Sequence, residues 1–185
     1  MDIQLNDYQL DIIQDNSPRI LAVMARMTGK DTIIKERIAR WSGVSIVIAP
    51  ILYGIERYQS TASLFNYQQI LEGTGRGIDA DLTKTQVILT APYLVRDEHI
   101  VATLEWAEKA KASRILIIGN SGDRGFDDQG KPRPDVIKDI WFNRSNWMKH
   151  HVTMFQAHFL DEVAQNRLMT GSSMVYKYEV EASMA

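Results

Sequence analysis

Short apolar, β-branched runs separated by segments of helical spacing constrain this chain more than any other feature. The runs are Ile20 to Met24, Val44 to Ala49, Thr85 to Leu89, Arg114 to Ile118 and Val152 to Gln156. Each reads as a buried strand. Between them, Thr32 to Trp41 and Glu98 to Lys111 carry helical spacing, and Ile100, Val101, Leu104, Ala107 and Ala110 fall on one broad stripe of the second. Strand alternating with helix predicts an α/β fold with a parallel sheet covered on both faces. Gly43, Pro50, Gly73 to Gly77 and Asn120-Ser121-Gly122 punctuate the ends of these elements.

Composition narrows the function classes. The 185 residues, 45% hydrophobic and 24% charged, suit one domain spanning residues 1–185 with a sizeable core. A formal net charge of −2 supplies no global field towards nucleic acid or an anionic membrane, so any DNA contact must be local. There is no cysteine, which removes disulfides, thiolate zinc sites and cysteine nucleophiles. Met1-Asp2-Ile3-Gln4 does not begin a leader, and no apolar run approaches the ~20 residues of a membrane span, so a cytoplasmic protein without membrane contact is the expectation. Asp123 to Arg133 mixes Gly, Pro and both charge signs without periodicity and reads as an exposed loop. Asp161 to Met169 reads as a helix stopped by a turn at Thr170 to Ser173, with a last amphipathic piece behind it.

The first run leads into Ala25-Arg26-Met27-Thr28-Gly29-Lys30-Asp31-Thr32. A buried strand that breaks at a Gly-Lys pair and continues as a helix turns backbone N–H groups and one ammonium onto a phosphate. Against the pattern G-x-x-x-x-G-K-[ST], Met24 replaces the first Gly and Asp31 takes the position of the metal-binding hydroxyl. A lysine that merely opens a helix after a Gly turn is the plainer reading of the same residues.

In the order Tyr8-Gln9, Arg26-x-x-Gly29-Lys30, Ile46 to Pro50, Arg114 to Ser121 and Tyr176-Lys177-Tyr178-Glu179, the chain resembles the ATPase domain of the large terminase subunit, the DNA-packaging motor of tailed phages. The resemblance runs from about Leu5 to Glu179, and its strength is the ordered set rather than any one member. It implies a three-layer P-loop NTPase-like α/β fold, mostly parallel, that binds ATP with Mg²⁺ and couples hydrolysis to translocation of double-stranded DNA. It further implies a ring of copies in the host cytoplasm, with phage partners such as a portal, a small terminase or a separate nuclease. The family's nuclease domain would begin beyond the matched stretch, so cutting is expected to belong to another protein or to be lost.

By resemblance, Tyr8 and Gln9 take the adenine-contacting position, where an amide both donates to and accepts from a purine edge. An amphipathic segment with a solvated Gln is the bland alternative. Arg26 matches the arginine that terminases carry inside the phosphate loop, a fork suited to charge growing on a transferring phosphoryl group. An ordinary surface arginine paired to a carboxylate competes with it. Lys30 would meet the β- and γ-phosphates, while Thr28, Gly29, Asp31 and Thr32 complete the cradle with loop amides and the start of the helix. Asn120 and Ser121, at the end of the fourth run, match the polar turn that couples the γ-phosphate state to movement. Asn-Ser-Gly is also a common simple turn.

Two departures fall at the chemistry. Asp31 would bind Mg²⁺ as a carboxylate, which adds negative charge beside the phosphates; Thr32 would substitute only by a shift that helix geometry turns away by roughly 100°. Where the family ends an apolar strand in Asp-Glu, this chain has Thr90-Ala91. Neither polarises a water as a carboxylate does. Asp97-Glu98 offers an alternative pair, Asp97 for the metal and Glu98 for the attacking water, if Pro92 to Arg96 extends the strand or folds back over the site. The same pair before an amphipathic helix also serves as a cap with a favourable dipole. Asp79 and Asp81 are further acidic candidates, on an approach that looks like a loop.

The remaining constellations are weaker. His150-His151 on a strand would point to opposite faces and, with His158, lack a carboxylate at ligand spacing. Trp141, Phe142, Trp147 and Tyr176 with Arg144 and Lys149 could form an aromatic, basic face for DNA, although packing against a sheet is the commoner use of Trp and Phe. Two function classes therefore stand: a terminase-type ATPase, and a hydrolysis-deficient nucleotide-binding or assembly module that keeps the fold without the strand-end acidic pair. A small-molecule kinase of the same broad fold is disfavoured because no lid-like, arginine-rich segment comes after the sheet.

Overall fold

The computed structural model describes residues 5–50, 62–73, 82–120, 129 and 134–156. In chain order these form α1 (Asp7–Gln14), β1 (Arg19–Met24), α2 (Lys30–Arg40), β2 (Val44–Ala49), β3 (Ser63–Asn66), α3 (Tyr67–Leu71), β4 (Thr85–Thr90), α4 (Asp97–Lys109), β5 (Arg114–Gly119), α5 (Val136–Asn143) and β6 (Met148–Val152). Short 3₁₀ turns occupy Leu82–Lys84, Pro92–Leu94 and Met154–Gln156.

The six strands make one sheet in the order β3-β2-β4-β5-β1-β6, and every pairing is parallel. Burial on both faces explains why β1, β2, β4 and β5 read as near-continuous apolar runs. Alternate residues serve opposite faces. Leu21, Ile48, Leu89 and Ile117 share one register level and pack with Ile100 and Leu104 of α4 and Ile137 and Ile140 of α5. One step back, Ile20, Val47, Ile88 and Leu116 form the matching level on the other face, beneath Ile12 and Ile13 of α1 and Ile33, Ile34 and Ile38 of α2. Each fully buried Ile or Leu in these layers contributes about 1.5–3 kcal/mol. The result is a three-layer, P-loop-like α/β fold.

Chain direction dictates which helix lies where. From β1 the chain crosses towards the β3 edge, whereas the connections β3 to β4, β4 to β5 and β5 to β6 all run the opposite way. With right-handed crossovers, opposite directions put helices on opposite faces, which is the division seen between α2 and the set α3, α4 and α5. Adjacent strands β1 and β5 therefore send their chains to opposite faces, opening a crevice at their carboxyl ends. Such a reversal point is where open α/β sheets bind ligands.

Three expectations about where elements begin and end need correction. The last expected strand, Val152 to Gln156, is instead Met148–Val152, and Met154–Gln156 turns as 3₁₀. As an edge strand β6 is only partly buried, so Met148-Lys149-His150-His151 lacks the apolar signature of the central strands. Asp97 and Lys30 begin their helices one and two residues before the expected Glu98 and Thr32. Pro92 to Arg96 does not extend β4, which ends at Thr90, and Pro92–Leu94 turns as 3₁₀ instead.

Several expected features lie outside the described residues. They are the loop at Asp123 to Arg133 (Gln129 apart), the stretch from Thr74 to Gly77, Asp79, Asp81, Ser121, His158, the helix at Asp161 to Met169, and Tyr176 to Glu179.

Candidate phosphate-binding site

The crevice between β1 and β5 is lined by the segments that leave the ends of these two strands. Val23 pairs with Gly119, so Asn120 leaves β5 beside the point where Met24 hands over to the loop. Ala25 is fully buried and anchored by its N–H to Val152 O at 2.7 Å, which ties the loop to the end of β6. Arg26 and Met27 are exposed at the tip, and Met27 adopts φ 59°. Thr28 turns back inside, fully buried, with its hydroxyl donating to Ala25 O at 2.8 Å. Gly29 then caps α2 with φ 78°, a left-handed conformation that glycine alone adopts without strain.

A second observation fixes glycine at this position. A Cβ on residue 29 would lie 2.2 Å from Gln9 Nε2, so α1 and the loop approach closely. Gly29 brings no side chain to cap α2, and the positive end of the helix dipole is presented at the loop. Lys30, half-buried, opens the helix and donates Nζ to Ala25 O at 2.6 Å. Its ammonium therefore lies over the same carbonyl that Thr28 holds. Asp31 is exposed in the first turn, and Thr32 comes next, half-buried.

The residues singled out on α1 face this loop. Tyr8 Oη donates to Thr28 O at 3.0 Å, and Gln9 Nε2 reaches the same oxygen at 3.5 Å. Gln9 is buried, and its Oε1 accepts from Asn6 N–H at 2.9 Å, the reciprocal contact of a capping box. Burial pushes the Tyr8 phenol above its ordinary pKa, against a smaller lowering by its contact with Asn6. Asn6 was not singled out from sequence, yet Asn6-Asp7-Tyr8-Gln9 is an N-x-x-Q signature of a helix start. The same signature, Asn66-Tyr67-Gln68-Gln69, caps α3, with Gln69 N–H on Asn66 Oδ1 at 2.8 Å and Asn66 N–H on Gln69 Oε1 at 2.9 Å.

Across β5, the end of β4 carries no acid at its last position. Thr90 Oγ1 donates to Ile48 O at 3.3 Å, and Thr90 O accepts from the Tyr67 hydroxyl at 2.9 Å. Ala91 takes φ 47°, and its N–H bonds Ile118 O at 3.2 Å before the chain enters the Pro92 turn. Asp97 Oδ2 accepts from Val136 N–H at 2.9 Å, linking the start of α4 to the start of α5. Glu98 is exposed and pairs with Arg96 at 3.1 Å. His99, beside it, is buried and bonds Gln68 Oε1 of α3 through Nε2 at 2.9 Å. The structure thus gathers Tyr8, Gln9, Thr28, Gly29, Lys30 and Asp31 around one loop. Asp97 and Glu98 sit on a different helix, in the contacts just given.

The other constellations gather around α5 and β6. His150 faces α1, with Nε2 at 2.7 Å from Asp15 Oδ2, while His151 meets the edge of Trp141 on the opposite face at a centroid distance of 6.0 Å. Among the described residues no three His, Asp or Glu side chains are grouped to hold a metal ion. Trp147 is buried in the core and Trp141 packs against it, whereas Phe142 is exposed and Arg144 pairs with Asp139 at 2.9 Å. No helix among the described residues is long and apolar enough to cross a membrane.

Fold and loop together define a three-layer α/β protein of P-loop-like class, with a Gly-Lys turn at the reversal point of a parallel sheet. No protein-family model matches the chain, and no curated protein matches it.

Proposed function

We propose that the chain is a nucleotide-binding domain of terminase type, with ATP held at the Ala25 to Thr32 loop and the energy of its hydrolysis used to move double-stranded DNA. The observation that carries this reading is the placement of Lys30, the first residue of α2 after a left-handed Gly29, at the reversal point between β1 and β5. On ATP binding the Lys30 ammonium exchanges Ala25 O for the β- and γ-phosphate oxygens, a stronger acceptor for a cation. Loop N–H groups and the α2 dipole supply the rest of the cradle. Arg26, exposed at the loop tip, reaches outward to charge developing on the γ-phosphate. Asn120, leaving β5 at the same level, supplies an amide to that phosphate.

The two carboxylates assigned to Mg²⁺ open different helices, Asp31 in the first turn of α2 and Asp97 at the start of α4. Asp31 is exposed beside Lys30 and would offer Mg²⁺ a carboxylate oxygen, the hard donor type that this ion prefers. Asp97 Oδ2 already accepts from the start of α5. When bound, Mg²⁺ draws charge from the phosphates and leaves Lys30 and Arg26 less to neutralise. Glu98 is the carboxylate proposed to orient the attacking water, and it must first leave Arg96. DNA, further copies forming a ring, and a portal, small terminase or nuclease remain the proposed partners, in a cytoplasmic setting.

A second reading is favoured by a specific observation: β4 ends at Thr90 with Ala91 next, Thr90 Oγ1 and Ala91 N–H both bond backbone carbonyls, and an Asp-Glu pair comes only at the start of α4. On that reading the domain binds nucleotide without cleaving it and acts as a sensing or assembly module. Binding and turnover of ATP by wild type, Lys30→Ala and Glu98→Gln, each with and without DNA, separate the two. Turnover lost in both variants supports the motor. Binding lost only in Lys30→Ala, without wild-type turnover, supports the module, and absence of nucleotide binding throughout overturns both.

A further inference from the structure

We infer that Tyr8 and Gln9 are positioning residues that clamp the phosphate loop, rather than readers of a nucleotide base; this rests on the reading of Ala25 to Thr32 as a phosphate site. Two contacts converge on one peptide. Tyr8 Oη and Gln9 Nε2 both address Thr28 O, at 3.0 and 3.5 Å, and the Gln9 amide nitrogen fills the space that a Cβ on Gly29 would occupy. The second contact is a long hydrogen bond, so its effect is as much steric as electrostatic. Thr28 is fully buried, and leaving its carbonyl without donors carries the cost of an unsatisfied buried acceptor.

The Gln9 amide has little left for a base edge. Its Oε1 accepts from Asn6 N–H at 2.9 Å, its Nε2 lies against the Thr28-Gly29 peptide, and the residue is 4% exposed. A purine reader needs a donor and an acceptor presented together to the ligand. Here each is turned inward: the acceptor holds the start of α1 and the donor holds the loop. The two ends of one amide therefore couple formation of the first turn of α1 to the left-handed turn at Gly29. That turn sets where the Lys30 ammonium and the start of α2 point, so the clamp acts on phosphate affinity whatever base is attached.

Gln9→Glu isolates this role, because a Glu at the third helical position preserves the acceptor for Asn6 N–H while replacing the donor to Thr28 O by a repelling oxygen. Tyr8→Phe removes the other donor, together with the 3.4 Å contact from Asn6 Nδ2, and leaves Asn6 N–H on Gln9 Oε1. The probes are ATP, GTP and inorganic tripolyphosphate, measured by calorimetry on the full chain, together with hydrogen exchange of the unliganded protein over residues 25–30. Expected is a parallel loss of affinity for all three probes in Gln9→Glu, on the order of fivefold to tenfold, a smaller parallel loss in Tyr8→Phe, and faster exchange confined to the loop. Loss of discrimination between ATP and GTP with unchanged tripolyphosphate affinity would make Gln9 a base reader and overturn the inference. Unchanged exchange of the loop in both variants would also overturn it. If wild type binds none of the three probes, the phosphate-site reading fails, and loop exchange alone then decides whether the clamp exists.

Discussion

The Lys30 ammonium donates to Ala25 O at 2.6 Å, closing the loop on itself between the end of β1 and the start of α2. On the proposed reading the ammonium exchanges this carbonyl for a phosphate oxygen, which offers a stronger bond between two charged partners. Thr28 Oγ1 keeps its own bond to Ala25 O, so the loop retains an internal tie when Lys30 turns to a ligand. Lys30→Met, which keeps most of the stem, is expected to cost about 1.5–3 kcal/mol of phosphate binding, roughly tenfold to a hundredfold in affinity. Its unfolding midpoint should move little, and calorimetric titration with ATP beside a denaturant melt checks both halves.

Beneath the sheet, Asp15 and His150 tie α1 to the edge strand β6 at 2.7 Å. Burial raises the Asp15 carboxyl, but hydrogen bonds from His150 and Ser17, with the His150 charge, outweigh it and leave the pKa below its ordinary value. A folded pKa below the unfolded one means the unfolded chain binds the proton more readily. The stabilisation is therefore fully present above about pH 5, where the unfolded carboxylate is also ionised, and is lost as pH falls through the folded pKa. Urea melts of wild type and Asp15→Asn from pH 6 to pH 3 should converge as the pH drops. Curves that stay parallel across that range would remove Asp15 from the acid response.

Arg37 is a cation inside the layer between α1 and α2. It is 3% exposed, and Nη1 donates to Ile12 O at 2.5 Å and Asp15 O at 3.1 Å, covering carbonyls at the end of α1. Burial first, then the neighbouring Arg114, push its pKa down to about 10, with Asp15 pulling the other way. The charge is thus held at some expense, while the hydrogen bonds and the stem contribute. Arg37→Ala, which opens a cavity and strands two carbonyls, should destabilise by about 2–4 kcal/mol. Arg37→Met, which fills the cavity and removes the buried charge, should lose less; equal losses in guanidinium melts would show that packing counts for nothing here.

Local patterns and tertiary contacts were not equally legible in the sequence. Central strands β1, β2, β4 and β5 are buried on both faces, so their apolar runs announced them directly. Edge strands β3 and β6 are short and partly exposed, and Ser63 to Asn66 or Met148 to Val152 carry no such run. The Gly29-Lys30 turn was legible because a left-handed glycine before a helix leaves a local mark. The meeting of Gln9 with Gly29 was not, since it depends on α1 folding back over α2, a contact set by tertiary packing rather than by spacing. Asp97-Glu98 read in the sequence either as an alternative acidic pair or as the cap and dipole partner of a helix start, and only the position of α5 shows the Asp97 carboxylate on Val136 N–H.

Gly119 ends β5 beneath the turn that comes after β4, and a Cβ there would lie 2.4 Å from Pro92 Cδ and 3.2 Å from Pro92 Cγ. The proline ring is rigid and buried, so Gly119→Ala must displace the Pro92–Leu94 turn rather than rotate a side chain aside. Overpacking of this kind costs about 1–3 kcal/mol. Displacement of that turn also shifts the start of α4, with Asp97 and Glu98, relative to Asn120. Removing the ring in Gly119→Ala/Pro92→Ala should recover part of the loss, giving a favourable coupling energy in a double-mutant cycle. Additive losses in thermal melts would mean that the strand end, not the proline contact, makes glycine necessary at position 119.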